Sequence, residues 1–180
     1  MPVWTDDFAP HDVGRYPNAT GQVYAARRQV RNGETHPPYY LYPAGAPVYD
    51  PRYQMPVEEC GNMLVMLAAA QAFGASEGLA RAYRPLLDKW VGYLVTYGED
   101  PGEQLCTDDF AGHLAHNCNL SLKAIVALGA YGQLFDAPRY SHAAQEMAAR
   151  WTAEARRSGR GWRLTFDRDD TWSLKYNIIW

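Results

Sequence analysis

Two pairs of adjacent carboxylates are the residues of this sequence best suited to chemistry. Glu58 and Glu59 follow Pro56, and Asp108 and Asp109 lie in a polar stretch further along the chain. A hydrolase can use one carboxyl with a raised pKa as general acid and one ionised carboxylate as general base. We predict that Glu59 and Asp109 form this pair, with the role of each left open, and that Glu58 and Asp108 accompany them in the site.

Both carboxylate pairs also have a structural explanation. Glu58 and Glu59 fall in the first turn of a predicted helix, where free N–H groups and the macrodipole stabilise negative charge. Asp108 and Asp109 have the residue type of a helix N-cap. Because successive helical residues point about 100° apart, one glutamate can face a cleft while its neighbour forms a salt bridge.

More polar side chains follow the second pair than is usual in a helix that also buries leucine and isoleucine. We predict that these residues contact a substrate: His113, His116, Asn117 and Asn119. His113 and His116 would share one helical face and could bind a metal, although buried, hydrogen-bonded histidines are commoner. The sequence predicts no metal and no cofactor. Cys106 and Thr107 lack the signature of an activated nucleophile.

The elements that position these residues can be read from the chain. Residues 1–55 contain most of the twelve prolines and predict an extended, loop-rich arm. Residues 56–180 are predicted to be helical, with helices over 56–73, 76–97, about 112–134 and about 136–157. A short strand over 162–166 and a fifth helix capped by Asp170 and Thr171 should follow.

The second of these helices should be kinked at Pro85. Its buried stripe is predicted to consist of residues three or four positions apart: Leu79, Tyr83, Leu86, Trp90 and Leu94.

Short loops make successive helices antiparallel neighbours, so the first, third and fifth helices should begin at the same end of the bundle. Three polar clusters would meet there: the glutamates, the aspartates and a group near the C-terminus. That last group is predicted to bind substrate through a ring face, a cation and amide hydrogen bonds, although Trp172 could serve packing instead: Trp172, Lys175, Tyr176 and Asn177. His11 and Asp12 in the arm are predicted to fold over the same cleft.

Composition narrows the partners of the chain. With 47% hydrophobic and 21% charged residues, it lies in the ordinary range of a globular domain. A net charge of -3 does not favour nucleic acid as a partner. The longest apolar run, residues 63–70, is far shorter than the roughly 20 residues that cross a bilayer. We therefore expect no membrane span, and the residues after Met1 do not lead us to expect a signal peptide within this sequence.

Four segments resemble the catalytic region of the glutaminase A-like family: FAPHDVGRYP (8–17), MPVEECGNML (55–64), QLCTDDFAGHLAHNCNLS (104–121) and TWSLKYN (171–177). The resemblance spans nearly the whole chain. It implies an all-α fold whose antiparallel hairpins form part of an (α/α)6 toroid, hydrolysis of the side-chain amide of glutamine, and a secreted or extracytoplasmic location. Relatives extend further at both ends, which implies that the chain is a fragment of one larger catalytic domain.

Two other functions remain open. Paired carboxylates and many Tyr and Trp residues would also suit a glycoside hydrolase, whose carboxyl groups lie about 5.5 Å or about 6.5–9.5 Å apart. The chain could instead be a non-catalytic helical fragment that binds a ligand. Glutamine or a saccharide is the expected small-molecule partner. An apolar flank left by a partial toroid predicts self-association or contact with the remainder of the domain.

Overall fold

The computed structural model describes Ala9 and residues 15–16, 29–31, 34–36, 39–40, 54–106, 113–159 and 161–175. Within these ranges the chain forms five helices: α1 Pro56–Ala72, α2 Gly78–Ala82, α3 Arg84–Tyr97, α4 Cys118–Leu134 and α5 Pro138–Glu154. The helices hold the hydrophobic core, so the predicted all-α class is confirmed. No helix within the described ranges combines the length and the apolar character needed to cross a membrane.

Short strands near the N-terminus form two antiparallel ladders. In one, β1 (Arg15–Tyr16) pairs with β4 (Tyr39–Tyr40). In the other, β2 (Gln29–Arg31) pairs with β3 (Glu34–His36), and Val30 lies opposite Thr35. The sequence predicted extended backbone in this region but not its pairing.

Helix α1 follows its sequence pattern closely. Pro56 occupies the first turn, where its missing N–H removes no helical hydrogen bond. The helix gives way to a turn at Phe73 and Gly74, and Gly74 adopts a φ of 91°, which glycine tolerates without strain. The predicted helix over 56–73 is therefore confirmed to within one residue.

The second predicted helix is two helices. α2 ends at Ala82, and α3 begins at Arg84 with Pro85 in its first turn. Because proline cannot donate to a preceding turn but fits a helix start, Pro85 begins a new helix rather than bending one. The break changes the buried stripe: Trp90 and Leu94 are buried as predicted, whereas Leu79 and Tyr83 are exposed.

Helix α4 is the centre of the bundle and packs against α1, α3 and α5. Most of its residues are buried, including Ala124, Ala127 and Leu128. It begins at Cys118 rather than near residue 112, so the predicted start was wrong by about one and a half turns. The sequence pattern did not reveal that Asn117 caps the helix.

Helices α4 and α5 form an antiparallel hairpin. Residues 135–137 join them, with Asp136 at a φ of 47°. At the other end of the pair, the indole Nε1 of Trp151 near the end of α5 donates to the carbonyl of Cys118 at the start of α4, at 2.8 Å. Helices α1 and α4 instead begin at the same end, because Glu58 near the start of α1 pairs with Lys123 near the start of α4.

The described residues 155–159 and 161–175 form no helix and return past the start of α4. In place of the predicted strand over 162–166, two isolated bridges pair Arg156 with Trp162 and Asn117 with Thr165. The predicted fifth helix is absent from residues 171–175, and 176–180 lie outside the described residues. Asp169 organises this segment by accepting the backbone N–H of Ser158 at 3.0 Å and pairing with Arg163 at 3.1 Å.

Several large apolar side chains are exposed on the described surface. Phe73 is 93% exposed at the end of α1, and the others are Met66, Leu79, Tyr83, Val95, Tyr97, Trp172 and Leu174. The sequence predicted an apolar flank. Its burial by a second chain or by further helices stays a prediction.

Candidate functional site

The first turn of α1 is completed by a side chain from the loop after α3. Met55, the residue before α1, supplies no side-chain cap, and the buried Gln104 provides one through its Oε1, which accepts the N–H of Val57 at 2.9 Å. The backbone of Leu105 also donates to the carbonyl of Gln54 at 3.4 Å. These two contacts hold residues 104–106 against the beginning of α1.

The same loop segment reaches the beginning of α4. Asn117 caps this helix, because its Oδ1 accepts the N–H groups of Asn119 and Leu120 at 2.9 and 3.2 Å. Its Nδ2 lies 3.7 Å from the Sγ of Cys106. The beginnings of α1 and α4 therefore meet across residues 104–106, as the antiparallel order predicted.

Replacing Asn117 with alanine should lower the free energy of unfolding by about 1 kcal/mol, because two N–H groups of α4 lose their acceptor. Asn117→Ser is the matched control, since a serine hydroxyl also caps a helix and should retain most of the stability. Denaturant unfolding of the two variants measures the difference. Equal losses in both would mean that capping is not what Asn117 contributes.

Glu58 is held in a buried ion pair. Its carboxylate is 1% exposed, and its Oε1 lies 3.2 Å from the Nζ of Lys123, which also donates to Asn62 Oδ1 at 2.7 Å. Gly61 makes room for this lysine, because a Cβ there would overlap Lys123 Cγ and lie 2.8 Å from Cδ. Glu58 thus forms a salt bridge inside the bundle rather than at its surface.

Glu59 has a different environment from its neighbour. It is partly exposed, and its backbone N–H donates to the carbonyl of Met55 at 3.0 Å in the first turn of α1. Asp108 and Asp109 lie outside the described residues. The acid–base pair of Glu59 and Asp109 therefore stays a prediction. The alternative in which the aspartates cap the third helix is wrong, since Asn117 does so.

His113 and His116 both precede α4, so the prediction that they share a helical face is wrong. His116 has a φ of 60°, and two backbone hydrogen bonds fix it: its N–H donates to Pro101 at 2.7 Å, and its carbonyl accepts from Phe166 at 2.9 Å. Its Nδ1 lies 2.8 Å from an Asp100 carboxylate oxygen. That hydrogen bond, and then the charge of Asp100, raise the pKa of His116.

The described residues give the metal hypothesis no support. They contain no group of three or more His, Cys, Asp or Glu side chains that could hold an ion. All three cysteines are buried. Burial raises the pKa of the Cys60 thiol to about 12 and that of Cys118 to about 11, which disfavours the thiolate form that a nucleophile requires.

The C-terminal cluster lies beside the beginning of α4. Lys175 is 4% exposed, its ammonium donates to the Oγ of Ser173, and burial lowers its pKa to about 8. Trp172 is 61% exposed, close to the backbone of Gly161. Tyr176 lies outside the described residues, as do His11 and Asp12. Asn119 is buried in the first turn of α4.

Sequence reasoning missed several residues that build this region: Gln104, Lys123, Asp100 and Ser173. One signal was available for Lys123, because a single charged residue interrupts an otherwise apolar stretch of α4. Such a residue is seldom fully buried unless it is paired. No comparable signal marked Gln104, whose capping role depends on a contact between distant parts of the chain.

A separate cavity lies at the opposite end of the bundle. It has a volume of about 560 Å³ and a mixed polar lining: Gln71, Glu77, Arg81, Arg84, Gln133, Leu134, Phe135 and Asp136. None of the predicted site residues is among them. Arg81 is paired with Glu77, and Arg84 lies over the Phe135 ring at 4.8 Å, so both cations already have partners.

Known proteins resemble this chain along its whole length. The model of a family described as the glutaminase A six helical-hairpin domain matches residues 1–180. Glutaminase A of Aspergillus oryzae is 37% identical over 157 residues, covering 82% of this chain and 19% of the relative. A probable glutaminase of Arthroderma benhamiae is 25% identical over 242 residues, covering 98% of this chain and 25% of the relative. No solved structure matches significantly. The chain spans about a fifth to a quarter of the length of these relatives.

Proposed function

Because this chain belongs to the family of the glutaminase A six helical-hairpin domain, we propose that it forms part of a hydrolase that converts glutamine to glutamate and ammonia. The names of both relatives support this reaction. One structural observation supports the proposal for these residues. Residues 104–106 contact the beginnings of both α1 and α4, and so bring the two helix starts together. Among the polar side chains that the sequence singled out, Glu58, Asn117 and Lys175 lie at this end of the bundle.

The proposed reaction needs one base and one acid. The base removes a proton from water, whose oxygen attacks the amide carbon, and the acid protonates the departing nitrogen as the C–N bond breaks. Glu59 and Asp109 are proposed for these roles. Of the two glutamates, Glu59 is favoured because Glu58 is already paired with Lys123 inside the bundle, whereas Glu59 retains an exposed part.

Electrostatics at this end of the bundle suit the proposed chemistry. Attack on the amide produces an oxyanion, and two helix N-termini carry positive partial charge towards this region. Each of these positive groups would lower the energy of an anionic intermediate more than that of the neutral amide.

Ammonia release from L-glutamine by the natural full-length protein tests the proposal, with a panel of aryl glycosides assayed in parallel. We expect ammonia and glutamate in equal amounts and no cleavage of glycosides. The names of the relatives lend no support to a glycosidase. Glycoside cleavage without glutamine turnover would overturn the proposal, and the absence of both activities would favour a ligand-binding role.

A further inference from the structure

Lys175 is a buried cation without a described counter-ion. The chain has three lysines. Lys89 is exposed, and the buried Lys123 pairs with Glu58. Lys175 is 4% exposed, yet within the described ranges it forms no ion pair, and its hydrogen bond goes to the neutral hydroxyl of Ser173. An ammonium removed from water without an opposite charge is costly, so such a group is normally paired.

No described carboxylate is paired with Lys175. The thiol of Cys118 interacts with Lys175, and burial raises the pKa of that thiol to about 11, so it is neutral at ordinary pH. Arg163 and Asp100 also act on Cys118, but each has its own partner: Asp169 for Arg163, at 3.1 Å, and His116 for Asp100, at 2.8 Å. Among the described residues, the charge of Lys175 is therefore available to an anion.

The backbone explains how a ligand would meet this cation. Residues 171–175 form no helix, and exposure alternates along them: Trp172 and Leu174 are exposed, whereas Ser173 is partly buried and Lys175 is buried. The Ser173 hydroxyl thus connects the ammonium with the surface. The cap of α4 is already supplied by Asn117, so a bare helix N-terminus is not what attracts an anion here.

We propose that Lys175 and Ser173 bind the α-carboxylate of the amino acid whose side-chain amide is hydrolysed. This subsite rests on the proposed glutamine hydrolysis and extends it, because it specifies free glutamine as the substrate. A glutamine inside a peptide has its α-carboxyl group in an amide bond, so it cannot supply the negative charge. A carboxylate bound at Lys175 provides the missing counter-ion and a bidentate acceptor for the amine and the hydroxyl.

Binding and protonation are linked at this subsite. Burial lowers the pKa of Lys175 to about 8, and a bound carboxylate favours the charged amine and raises that pKa. Conversely, the carboxylate binds the protonated form, so affinity is greatest below the pKa of the ligand-free protein and falls as the pH rises through it. Cys118, Arg163 and Asp100 are the described titratable groups that act on this region from neighbouring segments.

Lysine side-chain NMR tests the subsite directly. With 13Cε-labelled lysine, the 180-residue chain gives three signals to titrate, with the exposed Lys89 as internal control. We expect Lys175 to titrate near pH 8 without ligand. Saturating L-glutamine should raise that midpoint by about one unit or more. L-Glutaminamide should not, because it keeps the side-chain amide and lacks the α-carboxylate. The spectra are recorded before appreciable turnover, because hydrolysis gives either compound a new side-chain carboxylate.

Two results would overturn the subsite. An equal shift with both compounds would show that the α-carboxylate is not recognised. A Lys175 midpoint near the ordinary value of about 10.4 without ligand would show that a carboxylate of the chain already neutralises it. Lys175→Met assigns the signal, and if that variant does not fold, Lys89→Arg and Lys123→Arg, made one at a time, assign it by elimination. A selective shift without ammonia release would keep the subsite and reject the proposed hydrolysis.

Discussion

Replacing Lys123 with methionine should lower the free energy of unfolding by about 3–5 kcal/mol, because it leaves the Glu58 carboxylate buried without its cation. Glu58 is 1% exposed and Lys123 is 6% exposed, so water cannot take the place of the lost partner. Methionine matches the length of the lysine stem, which keeps the loss of packing small. Denaturant unfolding monitored by far-UV circular dichroism gives the measurement.

A double variant separates the charge from the packing. Glu58→Leu combined with Lys123→Met removes both charges, so it should recover much of the stability lost in the single variant. Glu77→Gln breaks the exposed pair with Arg81 and serves as control, with an expected change of at most about 1 kcal/mol. A single-variant loss no larger than this control would contradict the account of Glu58.

Glu59→Gln should reduce kcat/KM for glutamine by about 10²–10⁴-fold in the natural full-length protein, and Asp109→Asn should have a comparable effect. Both substitutions keep the shape of the side chain and remove its capacity to exchange a proton, which is the contribution expected of a general acid or base. Steady-state ammonia production, together with circular dichroism to confirm folding, provides the readout.

The controls come from the same region of the chain. Glu103→Gln removes an exposed carboxylate from the loop after α3 and should leave activity near that of the wild type. Cys106→Ala should do the same, because the buried thiol has no assigned chemical step. Activity within twofold of the wild type in both the Glu59 and the Asp109 variants would contradict the acid–base assignment.

The helices could be predicted where the sequence pattern is local. Apolar spacing, Pro56 and Gly74 set the limits of α1 within the chain itself, and the prediction was accurate there. Pro85 was recognised as a disturbance, but proline suits both a kink and a helix start. In the structure Pro85 lies at a helix start, and Leu79 and Tyr83 are exposed.

The candidate site was predictable only in part. Antiparallel order was enough to place the beginnings of α1 and α4 together. The different environments of Glu58 and Glu59 were not predictable, because the burial of Glu58 depends on its ion pair with Lys123 from another helix. The left-handed backbone of His116 likewise depends on contacts with Pro101, Phe166 and Asp100, and a helical period cannot reveal them.

The space that Gly61 provides for Lys123 has a consequence for how this sequence can change over evolutionary time. A methyl group at position 61 would occupy the volume through which the lysine stem passes towards Glu58. Positions 61 and 123 should therefore covary: relatives with a larger residue at 61 should carry a shorter side chain at 123, and they should also lose the acid at 58. Positions 58, 61 and 123, which lie on two helices, should then change together among relatives.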